Sequence, residues 1–199
     1  MSFAITARMA SVPVMLACFT DEALLRGALA FERALAAASA EHGVIGADAA
    51  AAIATACDRF DSHGLADAAA HAGTLAIPLV ARLRDAVPTE HAAAVHRGAT
   101  SQDVADTALV LQIRDARGVL DLALAAIAAR LATIARAHAT TVVRGRTLLQ
   151  PADAITFGMR AANWLLGVRA AHERFTREAD AALRVQLGGA VGSLAALGP

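Results

Sequence analysis

Leu109, Ile113, Ala116, Leu120, Leu124, Ile127, Leu131 and Ile134 recur at steps of three and four. That spacing lines eight apolar side chains along one face of an α-helix. It predicts a single helix starting near Gln102 and spanning about 35 residues, roughly 50 Å at ~1.5 Å per residue. Leu111, Val119 and Leu122 add apolar surface outside the seam. A helix with more than one apolar stripe packs against several partners, and one so long belongs in an extended bundle rather than a compact monomer. Composition agrees: 57% of the 199 residues are hydrophobic, only 4% are aromatic, and there is no Tyr. An Ala-rich, β-branch-poor chain favours helix over sheet.

The rest of the pattern is also helical. A helix is expected from Asp21 to His42, with Asp21 as N-cap and Gly43 beyond the last turn. A second follows in "GVIGADAAAAIATACDRF", and a third runs from Asp67 to Val87, interrupted near Gly73 and Pro78. "PTEHAAAVH" reads as a short helix with Pro88 at its first position. The pattern breaks in "ATTVVRGRTLLQ" and restarts at Pro151 as a second long helix, antiparallel to the first. The chain ends in a stretch containing Gly188, Gly189, Gly192 and Gly198. No strand is expected. The fold class is all-α, with a small helical domain over residues 1–100 and the first, incomplete part of a long-helix bundle over 101–199.

Basic and acidic residues balance at 18 each, every basic side chain is Arg, and neither half carries a basic patch. This argues against a nucleic-acid or polybasic membrane role. No charge-free apolar run approaches the roughly 18 residues that cross a bilayer. "MSFAITARMASVPVMLACF" is interrupted by Pro13 and lacks a small-x-small cleavage site, so it is not read as a signal peptide. Cys18 and Cys57 have no metal-type spacing, which suits a reducing, cytoplasmic setting.

Two loops carry the chemistry. "HRGATSQDVADT" puts small polar groups in front of the long helix. Thr100 or Ser101 is placed to cap it, and Asp103 stands three after Thr100, as in a capping box. The N–H groups and positive dipole end there suit an anion such as a carboxylate. "RGRTLLQPA" reads as another polar loop at a helix start, with Pro151 in the first position. On antiparallel helices these loops lie at opposite ends, so they meet only across subunits. That arrangement predicts an oligomer with shared sites.

These stretches resemble the fumarase/aspartase superfamily, all-helical tetramers whose sites combine three regions from three subunits. "GATSQDVADT" is similar to the first region and "GRTLLQPADAITFG" to the second; "LGGAVGSLAALG" is similar to the Gly-rich stretch that follows. Within the superfamily, "HRGATSQDVADTALVLQIR" with "GRTLLQPADAITFGMRAANWL" most resembles the 3-carboxy-cis,cis-muconate cycloisomerases. The resemblance implies lactonisation of a small tricarboxylate within the protocatechuate branch of aromatic degradation. It implies no cofactor and no metal, because the substrate supplies its own nucleophile and electron sink. It assigns Thr100, Ser101 and Gln102 to carboxylate binding, and Arg146, Thr147 and Gln150 to the second cluster.

Adenylosuccinate and argininosuccinate lyases usually carry a His general acid after the Thr of the second region; that position is Leu148 here, which argues against that chemistry. Some cycloisomerases have a His three residues later, where this chain has Pro151. His96 is left as the catalytic candidate, while His42, His63, His71, His91, His138 and His172 are read as surface or packing residues. The third region, a Ser-rich loop with a Met-Pro-x-Lys-x-Asn-like run, normally follows the Gly-rich stretch; nothing like it occurs, and there is no Lys. The expectation is therefore an N-terminal part of a longer enzyme, inactive alone. A reading of a different class, a non-catalytic helical oligomerisation module, explains the seam but not the two polar loops.

Overall fold

The computed structural model describes residues 5–197; residues 1–4 of the N-terminal stretch and Gly198 lie outside them. The chain divides into two units, one made of residues up to Arg114 together with those from Arg184 onward, the other of Asp115–Leu183.

In the first unit, short helices α1 (Ile5–Ala10) and α2 (Pro13–Ala17) precede α3 (Asp21–Glu41), α4 (Ala47–Asp58), α5 (Leu65–Ala72) and α6 (Ala76–Ala86). A 3-10 turn over Thr89–Ala94 leads to α7 (Ser101–Ala137), whose first 14 residues belong to this unit. The α3 cap is Thr20, not Asp21: its side chain accepts from the Ala23 N–H at 3.2 Å, and Asp21 occupies the first turn. The third expected helix divides at Gly73, which takes φ +71°. Pro78 interrupts nothing, because it sits in the first turn of α6, where its missing N–H has no partner to lose.

The core of this unit is the inward face of α3 (Ala28, Phe31, Leu35) against Ile53 of α4, Leu79 and Leu83 of α6, Val95, and Val104 and Ala108 of α7. Leu79, Leu83, Val95 and Ala108 are fully buried. Each such Leu contributes about 2 kcal/mol over an exposed one. Gly27 lets α3 meet α7 closely, since a Cβ there would stand 3.1 Å from Ala108 Cα.

The second unit contains the rest of α7, strands β1 (Val142–Thr147) and β2 (Gln150–Thr156), and α8 (Phe157–Ala182). The hairpin corrects the sequence reading, which expected no strand and a helix beginning at Pro151. Val142 pairs with Thr156 and Thr147 with Gln150, antiparallel, with a bulge between Arg144 and Arg146. Pro151 is tolerated because both strands of a two-stranded sheet are edges. α8 starts six residues later, at Phe157, capped by Thr156, whose hydroxyl accepts from Met159 N–H at 3.0 Å. Gly158 marks the closest approach: a Cβ there would lie 2.5 Å from the Ala135 carbonyl oxygen and 2.7 Å from that of His138. Its N–H donates to the His138 carbonyl at 2.8 Å.

α7 and α8 run antiparallel, as expected. Arg117 pairs with Asp180 at 2.6 Å, and His172 with Asp121 at 2.8 Å. Arg117 Nε lies 3.4 Å from Asp121 Oδ2, within ion-pair range but not aligned as a hydrogen bond. His138 packs edge-on against Phe157. Half of the seam is uncovered: Leu109, Ile113, Leu120 and Ile127 are exposed, while Leu124, Leu131 and Ile134 are half-buried and Ala116 is buried; Met159, Trp164 and Leu166 of α8 are exposed as well. By length and composition α7 is also apolar enough to cross a membrane, because a window that tolerates two charges passes where a charge-free run does not.

Candidate functional site

α7 begins at Ser101, which puts Thr100 at its N-cap. Half of the expected capping box forms: the Thr100 N–H donates to Asp103 Oδ2 at 2.9 Å. The Asp103 N–H goes to the Thr100 carbonyl at 3.0 Å, so the Thr100 hydroxyl is not spent on the cap. Ser101 is half-buried beside it. Gln102 is exposed, and its amide donates to Asp106 one turn on.

Asp103 does more than cap. It is buried at 1% exposure. Its Oδ1 accepts from Gly188 N–H at 2.8 Å, and its Oδ2 accepts from Gly189 N–H at 3.0 Å. One turn later Thr107 exchanges two hydrogen bonds with the Gln186 backbone, at 3.0 and 3.2 Å. The Gly-rich stretch is thereby tied along the first two turns of α7. Burial pushes the Asp103 carboxyl up, but the N–H groups of Gly188, Thr100 and Gly189 and the Gln186 side chain outweigh it and hold the group below its ordinary value. Gly98 and Gly189 both take positive φ, +78° and +68°. A Cβ on Gly189 would stand 2.8 Å from the Gly98 carbonyl oxygen, so the two glycine segments touch backbone to backbone.

His96 heads this loop. It also takes a positive φ, +60°, and its Nδ1 lies 2.6 Å from Glu32 Oε1. Glu32 was not legible as a functional residue: it stands on the apolar face of α3 at helical spacing, 64 positions away. A charged residue on a predicted core face was the available signal.

The second cluster sits in the other unit and on different structure from that expected. Arg146, Thr147 and Gln150 flank the two-residue turn of the β hairpin, and all are exposed. The turn is Leu148–Leu149, with Leu149 at φ +57° and 98% exposed. The structure thus groups His96, Thr100, Ser101 and Gln102 with the Gly-rich stretch, and Arg146, Thr147 and Gln150 with one another. Among the described residues, no group of three or more His, Cys, Asp or Glu converges on a possible metal position.

Comparison with known proteins gives a consistent set of similarities. A family model described as lyase matches residues 7–198. A 3-carboxy-cis,cis-muconate cycloisomerase from Pseudomonas aeruginosa is 47% identical over 190 residues, 92% of this chain and 41% of that protein. A nitrosuccinate lyase from Streptomyces davaonensis is 41% identical over 90% of this chain and 39% of its own length. Among solved structures, a 3-carboxy-cis,cis-muconate lactonizing enzyme from Pseudomonas putida superposes with a TM-score of 0.89 at 43% identity, covering 98% of this chain and 45% of that one. The chain therefore spans less than half the length of the relatives it matches.

Proposed function

Because this chain belongs to the lyase family of the fumarase/aspartase superfamily, we propose that the protein carrying it lactonises 3-carboxy-cis,cis-muconate to 4-carboxymuconolactone. The observation that carries this reading is the 47% identity to a cycloisomerase across a stretch holding both polar loops. One substrate carboxylate adds to the conjugated double bond and closes the lactone. Negative charge then builds as an enediolate on a neighbouring carboxylate, and one carbon takes up a proton. Three carboxylates demand many donors and fixed cations. Thr100 and Ser101 at the start of α7, with the dipole behind them, meet that demand; Gln102 joins them by releasing Asp106. Arg146, Thr147 and Gln150 supply the second set.

The two sets come from different subunits of a homotetramer, in a cytoplasmic enzyme that uses no cofactor, nucleic acid or membrane. The uncovered apolar seams support the oligomer. The nitrosuccinate lyase similarity favours a second reading, elimination from a succinyl adduct. Leu148 weighs against the His-dependent form of it, since a Leu transfers no proton. Ultraviolet absorbance of 3-carboxymuconate decides between them: its loss with lactone formation supports cycloisomerisation. Inertness toward it, with turnover of adenylosuccinate, argininosuccinate or nitrosuccinate, supports the lyase.

A further inference from the structure

Glu32 points inward from α3 at 1% exposure, among Ala28, Phe31, Leu35 and Ala36. A carboxylate there is costly unless it is paired, and an apolar residue of similar shape serves packing at least as well. Only Oε1 is paired, with His96 Nδ1 at 2.6 Å, while Oε2 has no hydrogen-bond partner. His96 is unusual as well. Its φ of +60° lies in the left-handed region, which strains a residue that carries a Cβ. Its side chain remains 12% exposed while Glu32's is wholly buried, so the ring bridges core and solvent at the head of the loop leading to Thr100.

We propose that Glu32 is the positioning residue for His96. Oε1 accepts from Nδ1–H, which fixes the ring's direction and its tautomer and leaves Nε2 as the nitrogen that handles the proton. Nδ1 keeps its hydrogen in either charge state, so the proton given or regained is the one on Nε2. This rests on the cycloisomerase reading, and it supplies a proton donor where Leu148 and Pro151 provide none. As the substrate carboxylate forms the C–O bond, Nε2–H protonates the enediolate carbon. Neutral His96 then recovers a proton from water, so each turnover consumes one proton and releases no leaving group.

The test uses the full-length protein, with Glu32→Gln, Glu32→Leu, His96→Asn and Glu32→Gln/His96→Asn. Glu32→Leu should lower kcat at least ~10-fold with KM little changed, and Glu32→Gln, which still offers Nδ1–H an oxygen, should recover part of that loss. In the His96→Asn background, Glu32→Gln should cost nothing further in kcat. Unchanged kcat per folded molecule in Glu32→Leu overturns the proposal, as does an equal Glu32→Gln loss with and without His96. Imidazole ¹⁵N NMR gives a readout independent of turnover: His96 should hold the Nδ1–H tautomer in the wild type and lose that preference in Glu32→Leu. A wild type that does not turn over 3-carboxymuconate but shows this tautomer sinks the cycloisomerase reading and supports the Glu32–His96 assignment. A wild-type Nε2–H tautomer sinks the assignment whatever the activity.

Discussion

Asp103→Asn isolates the tie between α7 and the Gly-rich stretch. The wild-type carboxylate accepts three backbone N–H groups, one on Oδ1 and two on Oδ2. Asparagine keeps one acceptor oxygen. Its best orientation retains the Thr100 and Gly189 bonds and turns an NH₂ toward Gly188. Leaving one buried donor unsatisfied costs about 1–3 kcal/mol, and the two remaining bonds lose charge assistance of about 1 kcal/mol each. The expected destabilisation is about 3–5 kcal/mol at pH 7, read as a lower urea midpoint at unchanged m. Hydrogen exchange at Gly188 and Gly189 should accelerate. The sign with pH follows from the lowered carboxyl: its stabilisation is fully present above the unfolded value of about 3.9 and disappears as pH falls through the lower folded value. The gap between wild type and variant should therefore narrow below about pH 4. A gap under ~1 kcal/mol at pH 7, or one that persists undiminished at pH 2, would refute the reasoning.

Thr100→Ala with Ser101→Ala, made in the full-length protein, should cut turnover by roughly 10²-fold, while losing about 1 kcal/mol or less of stability, because neither hydroxyl is used in the cap; kcat beside a thermal melt separates the two effects. Leu148→His should leave the melt unchanged, since the side chain is 85% exposed at a hairpin tip, yet impair cycloisomerisation without creating lyase activity, assayed on both substrate classes. Cys57 should resist iodoacetamide at pH 8 until the protein is unfolded: burial, with help from the Glu32 charge, pushes its thiol up to about 11. Mass mapping of the alkylated site checks this. Gly158→Ala should lower Tm through collision with the Ala135 and His138 carbonyls, at a cost of about 2 kcal/mol or more.

The long helix was legible because its period is sustained over many turns, and α7 runs 37 residues, close to the expected 35 or so. The antiparallel partner was legible for the same reason. The hairpin was not. Its turn is Leu-Leu rather than Asn-Gly, and Pro151 mimics a helix start. The β-branched run Thr140, Thr141, Val142, Val143 and the pair Ile155, Thr156 were the available strand signal. In the first loop, Asp103 was readable as a capping residue because capping is local. Its ties to Gly188 and Gly189 span 85 and 86 positions, and no local rule reports such a contact. Glu32 was hidden the same way, since helical spacing alone marks it as one more inward residue.

The Asp103–Gly188 contact also bears on the order in which the chain assembles. Closing a free loop of 85 residues costs roughly 4 kcal/mol in chain entropy, and during synthesis the contact waits until Gly188 has left the ribosome. A zipped α7–α8 hairpin shortens that loop. Gly158 against His138 starts near its tip, and the Asp121–His172 and Arg117–Asp180 pairs then close it toward its open end. Once Arg117 meets Asp180, 14 residues on one side, already wound into α7, and 8 on the other separate that pair from Asp103 and Gly188, and closing the remaining loop costs roughly 3 kcal/mol or less instead of about 4. Pulsed hydrogen exchange during refolding should accordingly protect the Gly158 amide before those of Gly188 and Gly189. Protection in the reverse order would mean that the glycine stretch docks on α7 without help from the hairpin.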